Sequence, residues 1–478
     1  MTETPSPGPD VFARYLERTR WFGGKGRPFS IAGVRRIGEL PRTADDPRVV
    51  VDLVEVGYDD DQGGIEVYQV PLSLYTDPEP RLDHAFVGWW EEPAYGWVHA
   101  YDALHDREAM ALWLRAFDRA AREPGGNLND ESGLRFHRIG EHELDLETHS
   151  TLFSGEQSNS SVAFGEDALM KVFRKITPGV NPDISVHDVL TRAGSEHIAS
   201  LYGWLDWVDE GADEGQGTTL QLAMLQQFLR TASDGWDLAL ASVRNLYAEA
   251  DLHAYEAGGD FAAEAERLGV ALREVHDVLA EHFPVDRLDA AAVAGLADEM
   301  DTRLDQALPV VPELAAHADA LRAAYDRLRG LRDVAVQQVH GDLHLGQTLR
   351  TSLGWKIVDF EGEPAKPLAE RLRPDSPWRD VAGMLRSFDY APHVVERQFA
   401  DDHPDNAEQR AYRAEEWAHR NRNHFLTAYA GGELSDDQRA LLEAYVADKA
   451  VYETVYETRN RPAWVAIPLE AVARIGAP

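Results

Sequence analysis

Three side chains in the C-terminal half of the chain have types and spacing suited to phosphoryl transfer. Asp342 and Gln347 lie in the polar run at residues 340–347, and Asp359 ends an apolar segment at residues 355–358. Transfer of a phosphoryl group from ATP requires a base that orients the attacking hydroxyl, and it requires oxygen ligands for Mg²⁺. We therefore predict that Asp342 is the catalytic base and that Gln347 and Asp359 are metal ligands.

The elements that must position these side chains are predicted from the same stretch. A loop, a short strand, a turn and a second strand fit between Asp342 and Asp359, and this arrangement brings two carboxylates and one amide to one place. The simpler interpretation is an ordinary polar loop after a strand, which accounts for residues 340–344 but not for Asp359. The spacing therefore favours a phosphotransfer site.

A second candidate site lies near the middle of the chain. Residues 162–164 and 168–173 alternate in polarity around a turn at residues 165–167, which predicts a β-hairpin. Lys171 shares a strand face with Leu169 and Phe173, so its ammonium group either extends to solvent or meets an anion in a cleft. Beside a kinase-type loop the second interpretation is favoured, and we expect Lys171 to contact the α- and β-phosphates of ATP.

Two further segments complete the predicted nucleotide site. The polar run at residues 154–161, which includes Ser158 and Asn159, is expected to close over the phosphates through backbone N–H groups. Residues 220–229 predict a strand and a hinge between lobes, with Gln226 and Phe228 as nucleotide contacts. A helix at residues 181–193 is expected to pack on this sheet.

The glycine-rich run at residues 23–26 is predicted to be a structural turn. It lacks the Lys-Ser or Lys-Thr ending of a phosphate-binding loop, and it follows a predicted helix rather than a strand.

Composition excludes several classes of function. The chain has 478 residues, a formal net charge of −36 and no cysteine. An acidic surface repels nucleic-acid phosphates and anionic lipids, so neither nucleic acid nor a membrane is expected as a partner. The lack of cysteine excludes disulfides and thiolate-ligated metal sites. Without a signal-peptide pattern or a long apolar segment, the protein is expected to be soluble and cytoplasmic.

Motifs along the chain match one family. They lie at residues 20–22, 156–159, 169–174, 181–184, 189–194, 340–347, 359–364, 374–377, 380–388, 449–453 and 456–459. On these residues the chain resembles the maltokinases of actinobacteria, members of the aminoglycoside phosphotransferase-like kinases, over nearly its whole length. The resemblance implies that ATP, with Mg²⁺, phosphorylates the anomeric hydroxyl of maltose. The product would be maltose 1-phosphate for α-glucan (glycogen) synthesis.

The resemblance also implies a fold, a partner and one departure. The implied fold is α+β and bilobal, like that of protein kinases, with a small N-terminal α/β cap subdomain and a mostly helical C-terminal lobe. Some relatives are fused to trehalose synthase or associate with it, so a similar association is implied. Family members tend to carry a Glu that holds the phosphate lysine where this chain has Ser185. Asp188 or Glu156 is the expected replacement partner of Lys171.

Periodicity and composition divide the chain into three predicted parts. These are a cap subdomain at residues 1–84, an intermediate part and N-lobe with the nucleotide hairpin at residues 85–224, and a helical C-lobe at residues 225–478 that carries the catalytic and sugar sites. The predicted helices lie at residues 11–21, 102–121, 238–248, 261–283, 290–304, 314–328, 408–430 and 437–458, and the predicted cap strands at residues 49–56 and 65–72. Ser435 and Gln438 form a capping-box pattern.

The C-terminal helices offer candidate sugar contacts. Lys449, Glu453, Tyr456 and Glu457 fall on one side of a helix, and Arg459 follows them. A Lys that precedes a Glu by four residues is the less stabilising order, so helix stability alone explains this face poorly, and we expect it to contact the sugar.

Three further positions are open to two interpretations each. Trp417, with Arg420 and Arg422, either stacks on and hydrogen-bonds the sugar or is part of the core. His344 faces the acceptor hydroxyl or braces the catalytic Asp. Asp380 caps a helix or anchors the catalytic loop.

Two alternatives to a maltokinase stay open from the sequence. The catalytic motif does not fix the acceptor, so a kinase of another sugar such as glucosamine fits the same residues. A catalytically silent nucleotide-binding scaffold is disfavoured, because all three catalytic positions are present.

Overall fold

The protein forms two compact units. The computed structural model describes residues 8–44, 46–60, 63–93, 95–129, 133–153, 158–211, 217–249, 251–363, 366–399 and 406–475. One unit contains residues up to 185 together with residues 199–230, and the other contains residues 186–198 and 231–478. The three predicted domains are a different division of the chain, and they stay a prediction.

The first unit begins with a helix on an antiparallel sheet. Its elements are α1 (Pro9–Arg18), β1 (Phe29–Glu39), β2 (Arg48–Tyr58), β3 (Ile65–Tyr75), β4 (Phe86–Glu92) and β5 (Gly96–Asp102). The strand order is β1-β2-β3-β5-β4. Phe12, Tyr15 and Leu16 of α1 are buried, as their helical spacing predicts. The predicted α1, β2 and β3 are confirmed, whereas the sequence did not predict β1, β4 or β5.

The turn at residues 23–26 is structural, as predicted. A Cβ atom on Gly24 would lie 2.4 Å from Tyr58 Oη and 2.6 Å from the ring of Phe22, so any larger residue would require these two rings to move. The run therefore packs against the sheet of β1 to β5, which we call the cap sheet.

The second sheet of this unit carries the nucleotide hairpin. Its strands are β6 (Asn127–Asn129), β7 (Leu134–Arg138), β8 (Ser150–Leu152), β9 (Asn159–Phe164), β10 (Ala168–Phe173), β12 (Leu201–Asp209) and β13 (Thr218–Gln227), beside α2 (Arg107–Arg122). The strand order is β6-β7-β12-β13-β10-β9-β8. The predicted hairpin is confirmed, with Lys171 opposite Ser161 on β9 and Met224 on β13. The short strand β11 (Lys175–Ile176) pairs with β3 of the cap sheet.

The second unit is mostly helical. Its elements are α4 (Gly235–Ala248), α5 (Ala262–His282), α6 (Ala290–Ala307), α7 (Ala318–Arg329), α8 (Leu368–Arg371), α9 (Trp378–Phe399), α10 (Ala407–Ala430), α11 (Asp436–Asn460) and α12 (Ala466–Arg474), with strands β14 (Ser233–Asp234), β15 (Asp286–Leu288), β16 (Val334–Val336), β17 (Thr348–Thr351) and β18 (Gly354–Ile357). Helix α3 (Pro182–Arg192) spans the division between the units. The predicted long helices are confirmed, as is the capping box of Ser435 and Gln438.

Close packing of α5 on α10 supports this unit. A Cβ atom on Gly269 would lie 2.4 Å from the carbonyl oxygen of Phe425, so glycine is required for this approach. Among the helices of the described residues, none is both long enough and apolar enough to cross a bilayer.

Candidate active site

The loop at residues 340–347, called the catalytic loop after its predicted role, leads into the β17–β18 hairpin that the sequence predicts. β17 and β18 pair antiparallel, with Thr348 opposite Ile357, so the end of β18 lies beside the start of β17. Asp359, two residues after β18, is therefore brought back next to the loop. The Nε2 atom of Gln347 donates to Oδ2 of Asp359 at 3.0 Å. Asp359 itself has a φ of 68°, in the left-handed region that a non-glycine residue seldom adopts. The predicted metal ligands therefore lie side by side.

A second carboxylate lies close to Asp359. One oxygen of Glu361 is within 4.8 Å of a carboxylate oxygen of Asp359. Two carboxylates and the amide oxygen of Gln347 are the hard oxygen donors that Mg²⁺ prefers, so the residues fit the predicted ion. The sequence analysis did not single out Glu361 as a ligand, although it lies in the same acidic motif.

Asp380 anchors the catalytic loop through its side-chain carboxylate. Its carboxylate accepts hydrogen bonds from the backbone N–H of His340 at 2.7 Å and of Gly341 at 2.8 Å. His276 Nε2 lies 3.0 Å from the same carboxylate. Burial raises the pKa of Asp380, but the contacts with His276, His340 and the Gly341 N–H outweigh burial and lower it. Of the two interpretations of Asp380, the structure confirms the anchoring one.

Asp342 lies at the tip of this loop and faces a lysine. Nζ of Lys449 on α11 is 3.3 Å from Oδ1 of Asp342. Burial raises the pKa of the Asp342 carboxyl, but the positive charge of Lys449, together with His344 and His340, outweighs burial, and the pKa lies below its usual value. Asp342 is therefore ionised at neutral pH. Nδ1 of His344 accepts from the N–H of Gly346 at 3.1 Å, which holds the ring beside the loop.

A cleft of about 700 Å³ opens beside Asp342. Six residues predicted for catalysis or sugar binding line it, namely Asp342, His344, Lys449, Glu453, Tyr456 and Glu457. The sequence analysis missed six aromatic or charged residues that also line it, namely Trp236, Glu363, Tyr390, Tyr452, Arg461 and Trp464. The aromatic rings give the cleft flat apolar faces, and the carboxylates and cations give it hydrogen-bonding groups, which is the composition of a sugar site.

Each carboxylate that lines this cleft has a cationic partner within the described residues. Besides the Asp342–Lys449 pair, Glu453 lies 2.8 Å from Arg386 and Glu457 lies 2.6 Å from Arg461. Glu363 lies 3.2 Å from Arg379 and 3.4 Å from Lys366. The four acids on the cleft are therefore balanced by lysines and arginines.

Three residues predicted as sugar contacts lie outside the cleft. Trp417 is 1% exposed, and its Nε1 donates to Ser242 Oγ at 3.0 Å, so it is a core residue. Arg420 forms an ion pair with Asp260 at 2.8 Å. Arg459 lies exposed near the end of α11 and does not line the cleft. A correctly predicted face on one helix does not show which face of a neighbouring helix lines the cleft, because packing decides how each helix is rotated about its axis.

The first unit holds the predicted phosphate lysine in an ion pair. Nζ of Lys171 lies 2.8 Å from Oδ2 of Asp183, and the Asp183 side chain is 2% exposed. Of the two positions considered as partners, Asp188 pairs with Arg192 instead. Ser185, where family members tend to carry Glu, donates to the Pro182 carbonyl oxygen. Glu156 lies outside the described residues. The signal for Asp183 was its place in the first turn of α3, where a carboxylate also complements the helix dipole.

The other predicted nucleotide contacts lie on or beside the same sheet. Asn159 begins β9, Ser158 precedes it and is exposed, and Gln226 lies in β13 opposite Leu169. The N–H of Phe228 donates to the Asp167 carbonyl oxygen at 3.1 Å. Their roles in nucleotide binding stay predictions.

Similarity to known proteins identifies the family. The model of the maltokinase N-terminal cap domain matches residues 15–106. A glucosamine kinase from Streptacidiphilus jiangxiensis is 31% identical over 329 residues, which are 66% of this chain and 70% of that protein. This chain belongs to the same kinase family.

Two further similarities fit this kinase family. A glucosamine kinase from Mycolicibacterium smegmatis is 28% identical over 321 residues, which are 66% of this chain and 76% of the relative. The solved structure of a glucosamine kinase in complex with glucosamine, ADP and inorganic phosphate has a TM-score of 0.67 and 22% identity, covering 99% of this chain and 100% of that one. The predicted α+β, protein-kinase-like class with an N-terminal cap is therefore confirmed.

Proposed function

We propose that this kinase transfers the γ-phosphoryl group of ATP to the anomeric hydroxyl of maltose, giving maltose 1-phosphate for α-glucan synthesis. The observation that carries the proposal is that Asp342, an ionised carboxylate on a kinase catalytic loop, lines the same cleft as the polar and aromatic side chains of α11. The residues proposed for the acceptor are His344, Lys449, Glu453 and Tyr456, joined by Arg461 and Trp464.

Asp342 acts on the acceptor in this proposal. Its carboxylate accepts a hydrogen bond from the attacking hydroxyl, orients the oxygen toward the phosphorus, and takes the proton as the bond to phosphorus forms. Lys449 keeps the carboxyl ionised before this step and lies close enough to stabilise its charge. Asp380 holds the loop in place through the two backbone hydrogen bonds it accepts.

The phosphate side is proposed for the remaining predicted residues. Lys171, held by Asp183, would meet the α- and β-phosphates, while Ser158, Asn159, Gln226 and Phe228 are proposed to surround the nucleotide. Gln347 and Asp359 would hold Mg²⁺, which neutralises phosphate charge when it is bound. We retain neither Trp417 nor Arg420 nor Arg459 in the sugar site, because they lie outside the cleft.

Charge favours a neutral acceptor over an amino sugar. Glucosamine carries an ammonium group in its protonated form, and such a group is bound best by a carboxylate that has no other cation beside it. The four carboxylates on this cleft are each paired with a lysine or arginine. Neutral hydroxyls, in contrast, need hydrogen-bond acceptors and apolar ring faces, and the cleft supplies both.

Glucosamine is the second candidate acceptor. It is favoured by the names of the two similar kinases, whereas the matched cap domain is named for maltokinases. The two acceptors make different demands on the cleft, so a direct comparison separates them.

A sugar-panel assay tests the proposal. Purified protein, ATP and Mg²⁺ would be incubated with maltose, glucose, glucosamine or no sugar, and ADP release would be measured with ³¹P NMR of the product. We expect maltose to give the highest kcat/KM and a phosphate bonded at the anomeric carbon. Asp342→Asn should abolish turnover, while Asp436→Asn on the exposed start of α11 is the matched control and should keep it. Faster turnover with glucosamine than with maltose would identify glucosamine as the preferred acceptor. Activity in Asp342→Asn would overturn the mechanism.

A further inference from the structure

Arg386 lies behind the sugar cleft and takes no part in the mechanism above. This residue of α9 is 1% exposed. Its Nε and Nη2 atoms lie 2.9 Å and 2.8 Å from Oε2 of Glu453, which lines the cleft. Its Nη1 donates to Oδ2 of Asp389 at 2.6 Å. One buried guanidinium group therefore joins a cleft carboxylate to a carboxylate behind it.

The surrounding charges leave Arg386 to balance Glu453. Asp389 is 4% exposed, and it has two further cationic neighbours, Arg422 at 3.3 Å and Arg474 at 3.6 Å. Its negative charge is therefore compensated without Arg386. Glu453, in contrast, has Arg386 as the only arginine or lysine that forms an ion pair with it among the described residues.

We infer that Arg386 determines which acceptors the cleft admits, by neutralising Glu453 and fixing the direction of its carboxylate. The inference rests on the proposed function, and it concerns the charge of the acceptor rather than the phosphoryl transfer. With Arg386 in place, Glu453 accepts hydrogen bonds from hydroxyl groups but offers little net attraction to an ammonium group. Without it, Glu453 becomes an unpaired carboxylate at the cleft and attracts a cationic sugar.

Arg386 is thus a positioning residue that acts through Glu453. The two contacts from Nε and Nη2 both reach Oε2, so they restrict the carboxylate group through one oxygen and leave Oε1 outside the contact with Arg386. Asp389 in turn holds the guanidinium group from behind. A loss of positioning raises KM for a neutral sugar, whereas a loss of charge compensation changes the preference between neutral and cationic sugars.

Glucose and glucosamine are the matched probes, because they differ only in the group at C2. Each would be measured as a competitive inhibitor of maltose phosphorylation, or as a substrate if it is turned over. The variants are Arg386→Met, Arg386→Lys, Glu453→Gln and the double variant Arg386→Met with Glu453→Gln. Thermal denaturation checks that each variant is folded. The double variant removes both charges of the ion pair together, so it protects the test against an unfolded single variant.

The expected results separate charge from shape. The ratio compared is the inhibition constant of glucose divided by that of glucosamine. Arg386→Met should raise this ratio by roughly tenfold, in favour of glucosamine. It should also raise KM for maltose, with a smaller effect on kcat. Arg386→Lys should keep the wild-type ratio, because the positive charge is retained. The double variant should also return to the wild-type ratio, because no unpaired carboxylate is left.

Two outcomes would overturn the inference. One is a wild-type ratio in folded Arg386→Met, or a double variant that keeps the shifted ratio of Arg386→Met although Glu453 is no longer charged. The other is a wild-type cleft that already binds glucosamine more tightly than glucose. A wild-type protein that phosphorylates no sugar at all would instead refute the proposed function, so the two failures are distinguishable.

Discussion

Nζ of Lys449 lies 3.3 Å from Oδ1 of Asp342, so helix α11 supplies a cation directly to the proposed catalytic base. The same helix carries Glu453 and Tyr456 on the cleft. One helix therefore both lowers the pKa of the base and presents groups to the acceptor. This links the ionisation of Asp342 to the part of the chain that is proposed to select the sugar.

Replacing Lys449 by Met should impair the base. Without the positive charge, the effect of burial on Asp342 is no longer outweighed, and the pKa of its carboxyl rises. Because the base must be ionised, the acid limb of the kcat profile should move to higher pH, so kcat should fall roughly tenfold at a pH on that limb and much less at neutral pH. The measurement is kcat as a function of pH. Lys449→Arg keeps the charge and is the control. An unmoved acid limb in Lys449→Met would contradict the assignment of Asp342.

Replacing Asp380 by Asn should loosen the catalytic loop. The carboxylate accepts from two backbone N–H groups, and Asn offers one uncharged oxygen in its place. Loss of these charge-assisted bonds should reduce the free energy of unfolding by about 1.5–3 kcal/mol and lower kcat with little change in KM for the sugar. Thermal or urea unfolding with steady-state kinetics measures both. Wild-type stability in the variant would show that the loop does not depend on Asp380.

Asp380 should also affect how the stability of the folded protein changes in acid. The pKa of Asp380 is lower in the folded protein than the unfolded value of about 3.9. Its contribution to stability is therefore present above about pH 4 and is lost as the pH falls through the lower folded value. Unfolding measured across this range should show a smaller loss of stability on acidification in Asp380→Asn than in the wild type. An equal slope in the two proteins would mean that other groups carry the acid sensitivity.

The catalytic loop was predictable because its parts are close in sequence. Asp342, Gln347 and Asp359 lie on one loop and one hairpin, so local spacing fixes their arrangement. Helical spacing on α11 likewise brought Lys449 and Glu453 to one face, and both line the cleft. Local periodicity is informative where one element supplies several side chains.

The rest of the cleft depends on contacts between distant elements. Trp236, Tyr390 and Trp464 come from three separate parts of the chain, and no pattern in their own neighbourhoods marks them. Trp417 is a second example, because the sequence left open whether it contacts the sugar or belongs to the core, and packing places it in the core. The rotation of each helix is decided by tertiary packing, which a single sequence does not display.

Lys171 and Asp183 should affect the nucleotide and not the sugar. Their ion pair is almost buried, so Asp183→Asn removes a negative charge that lies 2.8 Å from Nζ of Lys171. Lys171→Met and Asp183→Asn should each raise KM for ATP by roughly tenfold or more, with KM for maltose nearly unchanged. Asp188→Asn is the matched control, because Asp188 pairs with Arg192 at the surface of the same helix. If Asp188→Asn had the larger effect on KM for ATP, the assigned partner would be incorrect.

Substitutions of two tryptophans in the second unit should affect different properties, one the KM for maltose and the other the free energy of unfolding. Trp464 lines the cleft, and Trp464→Ala should raise KM for maltose by roughly three- to tenfold, because a ring face for stacking is removed. Trp417 is buried and bonded to Ser242, so Trp417→Phe should lower the free energy of unfolding by about 1–3 kcal/mol through the lost hydrogen bond and the void beside it. Its KM for maltose should stay at the wild-type value. Steady-state kinetics and urea unfolding of both variants make the comparison. A raised KM in folded Trp417→Phe, with none in Trp464→Ala, would return Trp417 to the sugar site and remove Trp464 from it.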